Sequence, residues 1–486
     1  MAKNKSIKKG IKLFSKILAG ISLVVLLIFI YYLSKMNVIP SKYFYPAVII
    51  LVLLEAVFVF FAMKKRTKLG LIIGLDFLVV IVMTLQIFAF IRFHQTLDFL
   101  YNGLHIKTTT DMYYVVSNKE AEYNSLETIE GKTLYYFNDQ DDIEELKTQV
   151  LEIVNVQLKE VEDYYELFSN ILIDKERLIL INSVNYDTLL ENDETYKDKL
   201  KIVGEIEYLN EVEIEPTKET GITSEPFTIY LSGIDTRGNG MPSRSLSDVN
   251  MFIVVNPKTR KILLVNVPRD YLVQLHGKNG KKDKLTHAGV IGGIQLSKST
   301  VEDIVGMEAD YYVRVNFKSV INLVDAVGGI TVNSDVNYNI KCWTDPGCII
   351  KPGDNKVNGR CALAFARERH GYKTGDAHRA ENQQQVMRLL LDKIGSTSTI
   401  LNNFGEILEA LKGTFDTNIS TENIQELINF QINDMRGWEM ITSNMNGEGG
   451  MSYTYSYPET QLSVVFPDEK TIEEAKAKIK EVLEEQ

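Results

Sequence analysis

The chain has 486 residues, more than one ordinary hydrophobic core holds, which predicts two or three folded units of about 100 to 200 residues each. With 45% hydrophobic residues, 24% charged residues and three cysteines, the composition excludes a disordered chain and a scaffold built on disulfides. The formal net charge of −11 hides a division, since residues 1–104 carry +10, residues 105–224 carry −17 and residues 225–486 carry −4. Because the basic excess lies in one apolar segment, we expect no binding of nucleic acid.

Three apolar runs in the first hundred residues have the length of membrane-spanning helices. They cover residues 17–34, 44–63 and 69–91, each close to the ~20 residues that cross ~30 Å of hydrocarbon. Basic clusters precede the first run and separate the second from the third, and such clusters stay on the cytoplasmic side. We therefore predict a cell-membrane protein with a cytoplasmic N-terminus, whose chain is extracellular from about residue 95.

Two carboxyl side chains interrupt these spans, Glu55 in the second and Asp76 in the third. Ionisable groups at membrane depth are costly and often belong to a proton or ligand pathway. No chain of polar residues accompanies them here. We expect each to be a neutral carboxyl that faces another helix, with a position near the membrane edge as the alternative for Asp76.

Residues 105–224 read as a small acidic domain outside the membrane. Apolar residues recur at helical spacing through residues 141–170, which predicts one amphipathic helix against a small sheet. Its acidic residues occupy the opposite, solvated face. Residues 216–226 contain the Pro, Gly, Thr and Ser residues typical of a linker.

From Phe227 onward the pattern changes to buried strands that alternate with helices. Residues 227–235, 251–257 and 261–268 are nearly continuous apolar runs rich in β-branched residues, as in strands covered on both faces. Helical spacing follows at residues 286–305, 319–327, 358–367 and 376–394. This order predicts an α/β layer with a mixed central sheet flanked by helices.

Polar residues stand where these strands begin or end. Asp235 closes the first strand, Asp248 precedes the second, and Arg269 and Asp270 close the third. Neighbouring strand ends are where α/β folds usually bind ligands. The predicted helices add further polar residues: Arg367 and Arg369 at the end of one, and Arg379, Asn382 and Gln383 on one face of the next. Guanidinium groups bind phosphate oxygens in pairs, and carboxylates hold a divalent cation that bridges the same oxygens. The set therefore suits a phosphorylated ligand, of which a diphosphate is one example.

Eight sequence blocks follow one another from residue 232 to residue 384: SGIDTRG (232–238), SLSDVNMF (245–252), VNPKTRKILLVNVPRD (255–270), KDKLTHAG (282–289), DYYVRVNF (310–317), VDAVGGI (324–330), LAFARER (363–369) and GDAHRAENQQ (375–384). Their order over about 160 residues resembles the LytR-CpsA-Psr family of bacterial cell-envelope proteins. The topology, several spans followed by an acidic domain and then this domain, resembles the capsule-linked branch of that family. The resemblance implies a catalytic core over residues 225–396. Together with the patterns described above, it predicts a membrane anchor with three helices over 1–104, an extracellular α+β accessory domain over 105–224 and a C-terminal part, 397–486, packed on that core.

The resemblance also implies a phosphotransferase for cell-wall biogenesis, a ligase between a glycopolymer and peptidoglycan. Its donor is a capsular polysaccharide or teichoic-acid-like polymer on undecaprenyl diphosphate, its acceptor is peptidoglycan, and its ion is Mg²⁺, with Mn²⁺ as the alternative. The implied catalytic residues are Asp235, Asp248, Arg269, Asp270 and Arg367. The implied diphosphate ligands are Arg244, Arg269, Arg367, Arg369, Arg379 and Gln383, and the implied metal ligands are Asp235 and Asp248.

The chain departs from the family pattern at two places. Leu246 stands where the family usually has an arginine before Ser-Asp, so that charge is either missing from this chain or supplied by Arg244 or Arg237. Ala377 and Ala380 stand where the family often has a basic residue and a glycine. We treat Asp270 as a candidate general base for the acceptor hydroxyl.

Two other functions stay open beside transfer: hydrolysis of the polyprenyl diphosphate, and binding of the lipid-linked glycan without turnover. The reason to expect turnover is chemical. No ATP is available outside the membrane and no GxxxxGK[ST] loop occurs in the sequence, so a transfer reaction there needs a donor with its own activated bond.

The cysteines and histidines carry weaker expectations. Cys342 and Cys348 flank a short loop that a disulfide would close, and Cys361, inside a predicted helix, reads as a buried thiol. His287 and His370 have no second ligand at metal spacing, so we expect structural hydrogen bonds from them.

Overall fold

A computed structural model of the chain describes residues 2–36, 39–64, 67–98, 108–137, 143–162, 164–168, 171–192, 194–211, 221–234, 241–373, 375–458 and 460–486. Three long helices come first: α1 (Ala2–Met36), α2 (Ser41–Met63) and α3 (Leu69–Asp98). By length and composition all three are apolar enough to cross a membrane, over Ser6–Lys35, Ser41–Met63 and Leu69–Ile91. The expected number of spans is confirmed, and the third has the bounds predicted from the sequence.

Side-chain hydrogen bonds join the apolar helices. Ser15 Oγ of α1 donates to Asp76 Oδ2 of α3 at 2.7 Å, and Ser22 Oγ of α1 donates to Glu55 Oε1 of α2 at 2.6 Å. The two serines are seven residues apart, hence on one face of α1. Each carboxyl thus faces a neighbouring helix, as expected from the sequence.

The next segment forms a five-stranded mixed sheet with helices on both faces. Its elements are β1 (Thr108–Asn118), a 3₁₀ helix (Leu126–Ile129), β2 (Thr133–Phe137), α4 (Ile143–Ile153), β3 (Gln157–Val161), α5 (Tyr164–Phe168), β4 (Leu178–Asn182), α6 (Ser183–Asn192), α7 (Glu194–Lys197) and β5 (Leu200–Glu211). The strand order is β3-β2-β4-β1-β5. Val115 packs with α4 on one face and Val116 packs with α6 on the other, as alternation along a strand requires.

The single helix predicted over residues 141–170 is wrong. Among the residues of this stretch that the structure describes, Ile143–Ile153 and the short Tyr164–Phe168 are helical. Between them, Gln157–Val161 pairs in parallel with β2. Leu158 and Val161 fit the helical spacing by coincidence, because they pack on opposite faces of a sheet that is covered on both sides.

The larger sheet has six strands in the order β16-β11-β6-β7-β8-β17. The elements from its first strand onward are β6 (Phe227–Ile234), β7 (Ser247–Asn256), β8 (Lys261–Val267), β9 (Leu272–Gln274), β10 (Lys282–Lys284), α8 (Leu285–Val305), β11 (Tyr311–Asn316), α9 (Phe317–Ala326), β12 (Ile330–Ser334), β13 (Ile340–Lys341), β14 (Ile349–Ile350), β15 (Gly353–Val357), α10 (Gly359–Arg367), α11 (Asp376–Gly395), α12 (Thr397–Leu411), β16 (Phe415–Thr417), α13 (Thr421–Asp434), β17 (Glu439–Asn444), β18 (Gly447–Ser452), β19 (Leu462–Pro467) and α14 (Glu469–Glu484). The central strands β6, β7 and β8 run antiparallel to one another. Strand β11 runs parallel to β6, β17 runs parallel to β8, and the edge strand β16 runs antiparallel to β11. The predicted α/β fold with a mixed sheet flanked by helices is confirmed.

Apolar side chains of the sheet explain its near-continuous hydrophobic sequence. Phe252 and Val254 of β7 and Leu263 and Val265 of β8 are fully buried in one core cluster. Helices α8 and α14 contribute Val301, Val305, Ile472, Ala475, Ile479 and Val482 to the same cluster. These side chains shield this face of the sheet from solvent.

The structure divides the chain into two compact units. One comprises Met1–Gly103, Ser396–Glu409 and Ser420–Arg436, and the other comprises Leu104–Gly395, Ala410–Ile419 and Gly437–Gln486. The sequence analysis assigned all of 397–486 to packing on the α/β core, so the grouping of 396–409 and 420–436 with the first unit differs from it. The domain boundaries at 104, 224 and 396 stay predictions.

A kink in α8 interrupts the helix at Gly292 and Gly293. Gly293 has φ +63°, a left-handed conformation that glycine adopts without strain. A kink leaves carbonyl groups without their helical partners. Here the guanidinium of Arg244 is 8% exposed, and its Nη1 donates to the carbonyls of Val290 at 3.3 Å and Ile291 at 2.6 Å.

Candidate functional site

Two strand ends bring opposite charges together. Strands β7 and β8 pair with Asn250 opposite Val267, and continuing that register places Asp248 opposite Arg269. The Arg269 Nη1 donates to Asp248 Oδ1 at 2.6 Å, with the two side chains 23% and 15% exposed. This pair was expected from the positions of both residues at neighbouring strand ends.

Asp270, the next residue, lies among three cations. Its Oδ1 is 2.5 Å from Lys284 Nζ, and its Oδ2 is 3.4 Å from Arg269 Nε and 3.9 Å from Arg379 Nη2. The side chains of Asp270, Lys284 and Arg379 are 12–13% exposed. We call Asp248, Arg269, Asp270, Lys284 and Arg379 the charge cluster; it has two carboxylates and three cations, so an anion can approach it without meeting excess negative charge.

The charge cluster sets the protonation of Asp270. Burial opposes its ionised form, but the charges of Arg269 and Lys284, the hydrogen bond from Lys284 and the charge of Arg379 outweigh burial and lower the pKa of Asp270. A carboxylate with a lowered pKa is a weak base at neutral pH. The geometry therefore favours Asp270 as the residue that holds the cations in place, over the role of general base considered from the sequence.

Lys284 was missed by the sequence analysis, although the block KDKLTHAG contains it. Lys284 is the residue that precedes the first turn of α8. A cation at a helix N-terminus is electrostatically unfavourable unless an anion neutralises it. That position was the available signal for a carboxylate partner such as Asp270.

The other predicted diphosphate ligands occupy two neighbouring helices. Arg367 ends α10, half-buried, with its guanidinium 4.5 Å from the ring centroid of Phe317. Arg369 is exposed just beyond. Gln383 is half-buried on α11, four residues after Arg379 and hence on the same face of the helix.

A buried amide ties these two helices together. Asn382 is 2% exposed, and its Nδ2 donates to the carbonyl of Phe365 in α10 at 3.1 Å. Asn382, which the sequence analysis placed on the ligand face, thus fixes the end of α10 that carries Arg367 against the helix that carries Arg379.

The structure does not bring two further candidates, Arg244 and Asp235, into the charge cluster as it is described. Arg244 lies against the kink of α8, so the structure gives it a packing position, and its expected role on the diphosphate stays a prediction. Asp235, the expected partner of Asp248 in holding a metal, lies outside the described residues, as does Arg237. Among the residues that the structure describes, no group of three or more His, Cys, Asp or Glu side chains is arranged to hold a metal ion.

His287 is part of a buried hydrogen-bonded array. Its Nδ1 is 2.7 Å from Asp283 Oδ1 and 3.1 Å from Ser456 Oγ, and the backbone N–H of Ser456 donates to Asp283 Oδ2 at 2.7 Å. Asp283 is fully buried, and burial opposes its ionisation, but the charge and hydrogen bond of His287 lower its pKa. The array pins residues 454–457 to the start of α8, which is the structural role expected of this histidine.

The expected disulfide between Cys342 and Cys348 is wrong, because the structure pairs Cys348 with another cysteine. Cys348 is bonded to Cys361 of α10, with 5.3 Å between their Cα atoms, and Cys342 is a buried thiol. The backbones of Cys342 and Cys348 do pair, through an N–H donated to a carbonyl at 3.0 Å, but the Cys348 side chain turns toward α10. Burial raises the pKa of the Cys342 thiol to about 12, which keeps it protonated and unreactive.

Comparison with known proteins agrees with the motifs. The LytR_cpsA_psr family matches residues 188–478, more than half of the chain. Over 212 residues the chain is 35% identical to a Bacillus cereus protein named polyisoprenyl-teichoic acid–peptidoglycan teichoic acid transferase TagU, which covers 43% of this chain and 66% of that protein. A Bacillus licheniformis protein of the same name is 31% identical over 242 residues, with coverages of 49% and 75%.

Among solved structures, the crystal structure of B. subtilis TagV is 27% identical, with a TM-score of 0.44 over 54% of this chain and 99% of that one.

The chain spans about two thirds of the length of the Bacillus cereus relative and three quarters of the length of the Bacillus licheniformis relative. The family match and the identity to both relatives confirm the resemblance seen in the motifs, and the chain belongs to the LytR-CpsA-Psr family.

Proposed function

We propose that this protein is a transferase that moves a glycopolymer from a polyprenyl diphosphate carrier to peptidoglycan. The observation that carries the proposal is the charge cluster, in which three cations surround Asp270 in a largely buried site of the family domain. The names of the relatives support a teichoic-acid-like polymer as the cargo. A capsular polysaccharide, suggested by the sequence of domains, is the second candidate.

The cluster has the chemistry that a diphosphate ester needs. An acceptor sugar hydroxyl attacks the sugar-linked phosphorus, a new P–O bond forms, and the bond to the polyprenyl phosphate breaks. Negative charge accumulates on the bridging and non-bridging oxygens, where Arg269, Lys284 and Arg379 stabilise it. Arg367, Arg369 and Gln383 extend this binding surface along α10 and α11, as the sequence analysis predicted for the diphosphate.

The hydroxyl proton has two acceptors in this scheme. Asp270 is the carboxylate proposed from the sequence, but its lowered pKa makes it the weaker one. The departing polyprenyl phosphate, a phosphate monoester whose second pKa is ~6, accepts the proton more readily. We therefore propose that Asp270 orients the cations and that the leaving group takes up the proton.

Magnesium is part of the proposal. Mg²⁺ in phosphate-transfer sites commonly binds through one or two carboxylates together with the substrate phosphates. Asp248, at the edge of the cluster, fits as one such carboxylate through its Oδ2, since Arg269 takes Oδ1, and Asp235 would be the second. When bound, the ion supplies charge neutralisation at the phosphate oxygens, and Mn²⁺ could take its place.

The full chain in lipid nanodiscs tests the reaction. It is incubated with a polyprenyl-diphosphate oligosaccharide, Mg²⁺ and peptidoglycan fragments, and the products are separated by liquid chromatography and mass spectrometry. Oligosaccharide linked to peptidoglycan, with release of polyprenyl phosphate, supports transfer. Free sugar phosphate without linked product would identify a hydrolase, and no product despite donor binding would identify a binding protein.

Matched variants test the site. Arg379→Ala should lower the rate by roughly 10²-fold, on the scale of removing one preorganised donor, and Asp248→Ala and Arg367→Ala should also abolish most turnover. Arg388 lies exposed on the same helix, so Arg388→Ala should leave the rate unchanged. Full activity of both Arg379→Ala and Arg367→Ala would show that the site is elsewhere.

A further inference from the structure

A large aromatic side chain is exposed beside the predicted diphosphate arginines. Trp343 is 70% exposed in the loop that joins β13 and β14. Its ring centroid is 4.9 Å from that of His370, with 44° between the ring planes, and His370 is itself exposed. Tryptophan is buried in most folds, because leaving an indole in water forfeits much hydrophobic stabilisation. An indole held outward in this way is typical of a binding surface.

The backbone on both sides of the Trp343–His370 contact is fixed by one buried carboxylate. Glu368, 1% exposed, accepts from the backbone N–H of Trp343 through Oε2 and from that of Gly371 through Oε1, the latter at 2.8 Å. Tyr338 Oη, two residues before β13, donates to the carbonyl of Gly371 at 2.8 Å. The two rings are therefore set in place before any ligand arrives, which reduces the entropy lost on binding.

The far side of the loop is anchored to α10. Cys348 is disulfide-bonded to Cys361, and Asp345 lies 3.2 Å from Arg360 Nη2. Helix α10 ends at Arg367, so the loop that presents Trp343 is covalently tied to the helix that presents Arg367.

A short segment connects the two rings to the charge cluster. Arg369 Nε donates to His370 Nε2 at 3.4 Å. Three residues further, the ring of Tyr372 stacks on His378 with 3.6 Å between centroids, and His378 precedes Arg379, which reaches Asp270. The segment 367–379 thus carries His370 of the aromatic pair together with three of the predicted phosphate ligands, Arg367, Arg369 and Arg379.

We propose that Trp343 and His370 form a saccharide subsite that binds a pyranose ring of the glycan chain, an inference that rests on the proposed function. The apolar C–H face of a pyranose is electropositive and stacks on the electron-rich face of an indole, while its hydroxyls bond to polar groups at the rim. In the proposed reaction one sugar is attached to the phosphorus and another attacks it. A ring-stacking site next to the diphosphate arginines would hold one of these sugars.

Binding can be measured without turnover. The chain has two tryptophans, and Trp438→Phe leaves Trp343 as the sole indole. The full chain with this change, in nanodiscs, is titrated with chitotetraose, a neutral N-acetylglucosamine oligosaccharide. A saturable change in Trp343 emission is expected, and its absence overturns the proposal.

Variants then separate stacking from general packing. By calorimetry on the otherwise natural chain, Trp343→Ala should weaken chitotetraose binding at least tenfold, whereas Trp343→Phe should retain most of the affinity. Tyr453 is 56% exposed on another loop, and Tyr453→Ala is the matched control, with unchanged affinity expected. Equal affinity of Trp343→Ala and the natural chain would contradict the subsite.

Kinetics identify which sugar is bound. Because stacking holds the apolar face of the sugar ring and does not contact the phosphorus where charge develops, Trp343→Ala should raise one KM while kcat stays nearly constant. A raised KM for the lipid-linked oligosaccharide assigns the subsite to the donor, and a raised KM for peptidoglycan fragments assigns it to the acceptor. A lower kcat with both KM values unchanged would contradict a sugar subsite. If the natural chain does not transfer glycan but Trp343→Ala still weakens chitotetraose binding, the proposed function is wrong and the saccharide subsite is supported.

Discussion

A single carboxylate holds three cations at the candidate site. Asp270 is 13% exposed, and Arg269, Lys284 and Arg379 all lie within 4 Å of its oxygens. Without Asp270 the three cations would repel one another and relax outward, because Asp248 would be the one carboxylate left in the charge cluster. The negative charge of Asp270 keeps them converged, which is the preorganisation that electrostatic catalysis requires.

Asp270→Asn should therefore damage both activity and stability. We expect the transfer rate to fall by roughly 10²-fold and the thermal midpoint at pH 7 to fall by several degrees, since a buried cation loses its partner. Asp270 has a pKa below its ordinary value of 3.8, so its stabilisation is present above pH 3.8 and is lost as pH falls through the folded value. The difference in thermal midpoint between variant and natural chain should be constant from pH 5 to 7 and shrink below pH 3.8.

The control for this prediction is an exposed carboxylate. Asp303 is 55% exposed, 2.9 Å from His276 Nδ1, so Asp303→Asn should change the midpoint little. An Asp270→Asn chain with the natural midpoint at pH 7 would show that the cluster does not depend on this charge.

The sequence located part of this site and missed part, for physical reasons. Asp248, Arg269 and Asp270 were found because strand ends are visible as the ends of apolar runs. Lys284 was missed because its partner is fourteen residues away, across the β9–β10 hairpin. Arg244 was assigned to the diphosphate because it lies near Asp248 in the chain. In the structure it donates to carbonyls at the kink of α8, and no sequence pattern predicts that contact.

At the scale of elements, the contact between α8 and the loop before β7 supports Asp248. The backbone N–H of Ser245 donates to the carbonyl of Gly289 at 3.1 Å, and a Cβ on Gly289 would lie 2.4 Å from the carbonyl oxygen of Ser245. Only a glycine allows this approach. Long elements with one dominant period, such as α11 and β6 to β8, were predictable from sequence, but this backbone contact was not, because it depends on the kink.

Gly289→Ala should push the loop away from α8. Since Ser245 is three residues before Asp248, we expect the transfer rate to fall at least tenfold, together with the thermal midpoint. Gly405 is an exposed helical glycine with nothing within 4 Å of its Cβ position, so Gly405→Ala should leave the rate unchanged and add up to ~1 kcal/mol of helix propensity. If the Gly289→Ala chain keeps the natural transfer rate, the contact between Ser245 and Gly289 does not support Asp248.

At the scale of the whole molecule, the cysteines connect fold and compartment. The charge pattern of the apolar helices predicts that the chain beyond about residue 95 is outside the cell, where thiols oxidise. The structure has one disulfide, Cys348–Cys361, and one free cysteine, Cys342. The cytoplasm would keep all three thiols reduced. The oxidation state of these cysteines in the cell therefore reports on the predicted topology.

Thiol counting on the full chain measures that state. Cells are quenched with acid, the protein is denatured, and free thiols are labelled with a maleimide of known mass. One label per chain is expected without reductant and three after reduction, because the disulfide forms outside the membrane. Residues 105–486 produced in the cytoplasm should take three labels in both cases. Three labels on the unreduced full chain would contradict the outer location, and a Cys342–Cys348 peptide pair in the mass spectrum would contradict the observed arrangement and restore the pair expected from the sequence.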